Sequence, residues 1–138
     1  MKKIFTSGLV AAVVMIALGM GVGYLFNAIF PSLVYEYNNV NIYRPWSDPL
    51  MMLYFLHPIL LGFMLAWGWD KIKKIASGKT DLCKGVRFGF ITFVILTIPG
   101  MLISYASFQI SLLMILSWTI GSFVQLLIAG MIYAKMNK

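Results

Sequence analysis

Charge is what this chain has least of. Only 11% of its 138 residues are Asp, Glu, Lys or Arg, against 61% hydrophobic, where a soluble domain carries about 25% charged residues. A core this small cannot take so much apolar side chain out of water, because small domains leave much of their surface exposed. That excludes an ordinary soluble globule and leaves a bilayer as the solvent for the outer faces. Acids are scarcer still: there are four carboxylates, one histidine and one cysteine. The lone Cys83 cannot close an internal disulfide and excludes Cys-x-x-Cys redox chemistry. No Asn-x-Ser/Thr sequon, zinc spacing, Ser-His-Asp ordering or phosphate loop occurs.

What is there in quantity is uncharged sequence. Ile4–Tyr35, Pro49–Trp69 and Phe88–Ala134 contain no charge over 32, 21 and 47 residues. One membrane span needs about 20 apolar residues at 1.5 Å rise. The first two runs therefore hold one helix each, and the third holds two, divided at the polar cluster 104–111. The reading is a single all-α membrane domain, a four-transmembrane-helix bundle with spans near 4–30, 49–70, 86–106 and 109–134. A loop over 31–48 and a basic loop over 71–85 complete it.

The eleven basic residues then sort by side. Lys2, Lys3, Lys71, Lys73, Lys74, Lys79, Lys84, Arg87, Lys135 and Lys138 fall on one face and Arg44 alone on the other. Lys and Arg are retained in short cytoplasmic loops, so both termini are expected in the cytoplasm of an inner or plasma membrane. The apolar run after Met1-Lys-Lys continues to Phe30, about twice the length of a signal-peptide h-region, and reads as a retained anchor. The net charge of +7 suits anionic lipid. Nucleic-acid binding needs a basic surface with base-reading groups, and here the aromatics lie in the spans.

Within the spans, small residues recur at spacings of four. Gly19, Gly23 and Asn27 form a stripe on the first helix, and Ser117, Gly121, Gln125 and Ala129 form one on the fourth. In lipid such stripes let backbones approach while amides bond across. A packing seam between the first and fourth helices is expected, with a pore wall as the other reading. Ser47-Asp48-Pro49 is an N-cap followed by proline at the first helical position. Trp67 and Trp69 make an interfacial belt.

His57 is the one readily titratable side chain inside a span, hence a functional candidate by default, although a neutral imidazole also serves as an interhelical hydrogen bonder. Pro58 and Pro99 interrupt the second and third helices in the outer leaflet and free backbone carbonyls. Asn27, His57 and Pro99 are expected at one depth, as an external pocket with Glu36, Arg44 and Asp48 in the loop above it. That loop reads as a lid, and Arg44 is expected to engage Glu36 or Asp48. Haem would need a second histidine. Copper at Met51, Met52 or Met101 has only soft filler residues behind it. No cofactor or metal is expected.

Coupled transport needs buried charge, and catalysis needs an assembled acid–base or nucleophilic set. Neither is specified. Two roles follow: a non-enzymatic scaffold or accessory subunit packing on a membrane-protein partner or on itself, or an oligomeric channel or transporter with an external vestibule near Asn27, His57 and Pro99.

Overall fold

A computed structural model describes residues 1–138. It is all helix, with no strands and no residue at positive φ. The elements are α1 (Lys2–Ile29), α2 (Ser32–Tyr37), α3 (Leu53–Ile72, entered through a 3-10 turn at Pro49–Met52), α4 (Asp81–Thr92), a π-turn (Phe93–Thr97), α5 (Ile98–Ser107) and α6 (Leu112–Met136). Four continuous stretches, Lys2–Ile29, Pro49–Ile72, Asp81–Ser107 and Leu112–Met136, are long and apolar enough to cross a membrane.

Local chemistry sets the boundaries. The Asp48 side chain accepts from the Leu50 backbone N–H at 2.9 Å, with Pro49 next in the chain. Ser111 Oγ accepts from the Met114 N–H at 3.1 Å. Thr80 Oγ1 accepts from the Cys83 N–H at 3.1 Å and starts α4 at Asp81. That cap corrects the expected start near residue 86. The third span takes Lys84 and Arg87 into its first two turns, and the basic connection shrinks to 73–80. Arg87 reaches back to donate to Ser77 Oγ at 2.6 Å. The proline at 99 is met by the π-turn just before it. Such a turn accommodates a break in the i to i−4 ladder.

The two central helices are α1 and α6; α3 packs on α1, and α4 packs on α6. At the end that carries most lysines, Trp69 of α3, Phe88 of α4 and Tyr133 of α6 close the bundle, with ring centroids 5.5 Å and 6.2 Å apart. Beside them Ala11, Met15, Ala66, Ala129 and Ala134 fill the axis. The Tyr133 hydroxyl donates to the Gly62 carbonyl at 3.0 Å. Only 25 of 138 residues are buried. The outer surface, including Leu56, Leu60 and Met64 on α3, Ile95 in the π-turn and Leu102 and Ile103 on α5, is therefore apolar and exposed, as a lipid-solvated bundle requires.

The closest approaches are at glycines that the four-residue stripes did not single out. A methyl on Gly85 would overlap the Gly130 carbonyl, and one on Gly89 would overlap the Leu126 carbonyl. On the other side of the molecule, a methyl on Gly62 would lie 2.7 Å from the Gly8 carbonyl oxygen and 3.0 Å from Ala12 Cβ. Of the expected seam, Gly19 lies against the Gln125 amide and Gly121 against Val22, both between α1 and α6. Ser117 is buried and donates to the Met114 carbonyl at 2.7 Å. Gly23 is corrected: nothing stands within 4 Å of a methyl placed there.

Gly130→Ala is expected to lower the thermal midpoint in mild detergent, through overpacking worth about 1–3 kcal/mol. Gly23→Ala, which gains helix propensity in open space, leaves the midpoint unchanged or raises it. Equal loss from both would contradict the packing described.

Candidate functional site

The end opposite the lysines is closed by the 31–48 segment. α2 lies across the start of α6 and buries Leu33 with Ile110, Met114 and Ile115. Glu36 ties it down. Its Oε1 accepts from the Ser111 backbone N–H at 2.6 Å, and its Oε2 from Ser111 Oγ at 2.7 Å. Ser111 is itself the α6 N-cap, so the carboxylate sits where the first N–H groups and the positive end of the helix dipole favour an anion. Of the two acids expected for Arg44, Glu36 takes this capping role and Asp48 takes the arginine.

Arg44 pairs with Asp48, Nη1 to Oδ2 at 2.8 Å. The pair is largely exposed, and exposed pairs add little stability; its effect is to hold the loop's return to α3. The Leu50 N–H, and then the Arg44 guanidinium, keep the Asp48 carboxyl below the usual carboxylate range.

Behind α2, Trp118 Nε1 donates to the Tyr37 hydroxyl at 2.6 Å. Tyr43 packs against both rings, with centroids 5.6 Å from Tyr37 and 6.4 Å from Trp118. Ile42, Tyr43, Phe108, Ile110 and Trp118 line a cavity of about 170 Å³. All five lining residues are hydrophobic. The Tyr43 hydroxyl is buried without a protein partner, as is Asn27 Oδ1 on α1. Burial pushes the Tyr43 phenol up to about 12, with Glu36 and Tyr37 adding to the effect. Tyr37 is also raised by burial, against the opposing Trp118 hydrogen bond.

Of the anticipated trio Asn27, His57 and Pro99, His57 stands apart from Asn27 in depth. Gly62 packs at Gly8 and Ala12, and Phe63 stacks on Phe5 with centroids 5.3 Å apart. His57 therefore lies about 8 Å outward of that level, whereas Asn27, fifteen residues beyond Ala12, lies about 22 Å outward. The two differ in depth by roughly 14 Å along near-parallel axes. Pairing of Gly19 with Gln125 and of Val22 with Gly121 carries Asn27 to the level of Ser117. His57 and Pro99 are both exposed on the outer surface, and His57 makes no hydrogen bond. The sequence reading set depth from distance to the nearest loop, which ignored how far α1 extends past the start of α3.

Signals for the Tyr37, Tyr43, Trp118 and Ser111 cluster were thin. Each is unremarkable alone, and α2 has only six residues. Nothing here assembles a nucleophile with a base, and no three metal-ligating side chains converge. The arrangement can hold a small apolar group.

Tyr43 keeps its proton in the folded cap well above 10.0, so the stability this contributes is full below that pH and is lost as the pH climbs toward 12. The phenolate absorbance of the intact protein and of Tyr43→Phe should coincide up to about pH 11 and diverge above it; a difference already present near pH 10 would show the hydroxyl open to water. No family model, curated protein or solved structure matches the chain.

Proposed function

We propose that the protein is a non-enzymatic assembly subunit of the inner or plasma membrane, with both termini in the cytoplasm, whose α3 face receives a helix of another membrane protein. The supporting observation is His57. It stands exposed on α3, near the middle of the span, with no hydrogen bond from its own chain. In hydrocarbon an imidazole without a partner is costly, and a helix from a second chain would supply one. Pro58 adds to the need: it removes one backbone donor, leaving the Tyr54 carbonyl short of its helical partner. Leu56, Leu60 and Met64 provide the apolar surface around it.

Other features favour packing over passage. The axis at the lysine-rich end is filled by Ala11, Met15, Ala66 and Tyr133, so a solute route would run between subunits and not through one. The asymmetry of lysines supports the orientation, since all but Arg44 of the basic residues lie at one end.

Two measurements test the reading. A photo-reactive amino acid at Leu56 or Leu60 should cross-link a defined second membrane protein in native membranes, while one at Leu102 on α5 labels lipid. His57→Ala should abolish that product, and His57→Gln should retain part of it. Cross-links only to a second copy, accompanied by solute flux in vesicles, would replace the subunit with a channel. Cys83 is the single thiol and is exposed, so a membrane-impermeant maleimide should label it only after the cytoplasmic face is opened. Labelling of intact cells would reverse the orientation.

A further inference from the structure

The lysine-rich end holds a cleft of about 280 Å³ between the end of α3, the start of α4 and the end of α6, with Lys73, Lys74, Lys84 and Lys138 around it and Asp81 among them. We infer that this cleft binds a phosphate group, as the headgroup of an anionic phospholipid or as a soluble phosphate.

Its back wall is built, not incidental. Asn137 is 1% exposed and fastens α6 to α3 at three points. Trp69 Nε1 donates to its carbonyl at 2.9 Å, Lys73 Nζ donates to its Oδ1 at 2.8 Å, and its Nδ2 donates to Asp70 Oδ1 at 3.2 Å. Lys73 also pairs with Asp70 at 3.0 Å. This network fixes the Lys73 ammonium at the rim and leaves the Trp69 ring as an apolar wall. Opposite, α4 begins at Asp81. Thr80 Oγ1 caps that helix through the Cys83 N–H, and the positive end of its dipole stands at the edge of the cleft beside Asp81 and Lys84.

Charge decides the sign of the ligand. Asp81 is drawn to Lys84 at 3.9 Å and to Lys138 at 3.6 Å, and Asp70 offsets Lys73. Four ammonium groups against the Asp70 and Asp81 carboxylates and the α-carboxylate of Lys138, whose oxygen accepts from Lys73 Nζ at 3.1 Å, leave the cleft at about +1. Lys74 has no acid within ion-pair distance, and Lys84 has only the long contact. A phosphate would neutralise this excess while accepting from the Lys74 and Lys84 ammonium groups. The floor is formed by Trp69 and Ala134 in the last turns of their spans, which puts the cleft at headgroup height. Basic recesses between spans at that height are where anionic headgroups lodge. The inference does not depend on what docks at His57.

The test is native mass spectrometry of the full chain released from mild detergent after equilibration with phosphatidylglycerol and phosphatidylcholine. The expected result is selective retention of phosphatidylglycerol, reduced about fivefold by Lys74→Gln and again by Lys84→Gln. Lys2→Gln and Lys135→Gln, outside the cleft, should leave retention unchanged. Millimolar inorganic phosphate, added alone and in competition, separates the two sources. If it does not displace the lipid, the site takes a headgroup; if it binds and displaces, the site takes a free anion. Equal retention of the two lipids with no phosphate binding would overturn the proposal. So would equal losses from cleft and control lysines, which indicate only diffuse attraction. Circular dichroism of each variant confirms that helix content is intact.

Discussion

Close contact of bare backbone governs this molecule. In hydrocarbon, two apolar helices gain nothing by leaving lipid for each other, so association depends on dispersion and on how near the main chains can come. Gly85, Gly89 and Gly130 let α4 meet α6 carbonyl to Cα, and Gly8 with Gly62 do the same for α1 and α3. Such approaches permit weak Cα–H···O contacts and multiply short-range attraction along the crossing. Everything else is hung on these crossings: the aromatic closure at Trp69, Phe88 and Tyr133, the register that sets the depth of His57, and the spacing between the first turn of α4 and the last of α3.

Both ends are tied by polar side chains acting across elements far apart in sequence. Glu36 bonds Ser111 over the start of α6, and Asn137 bonds Trp69, Lys73 and Asp70 at its finish. α6 is thus held at each end by groups that also satisfy its terminal backbone or its neighbours. A lipid-solvated bundle places its directional bonds where water begins, because a bond left unmade in the hydrocarbon costs more than one left unmade at the rim.

Hydropathy made the four spans legible, and Asp48-Pro49 announced the start of the second to the residue. The charge-free criterion delayed the third helix, because Thr80 caps it among lysines and two cationic turns precede the apolar run. Four-residue spacing found Gly19 and Gly121 but passed over Gly85 and Gly89, which show the same spacing but were divided between the loop over 71–85 and the span from 86. The placing of His57 beside Asn27 failed for a different reason. Depth was counted from loops, and loops do not mark a common plane when one helix overruns its neighbour. Glu36 as a cap for α6 depends on contact across 75 positions, which no local pattern reports.

The π-turn at Phe93–Thr97 acts as one extra residue in an otherwise regular span. One residue is about 100° of rotation, so the glycine face that α4 turns toward α6 is not the face that α5 continues. The glycine seam therefore ends at the turn, whose first residue, Phe93, meets Phe123 edge-on where a further small residue would have been needed. The third span is in effect two half-helices, the first locked to α6 by backbone contact and the second, which buries no residue fully, resting on the Leu33 and Met114 cluster through Met101.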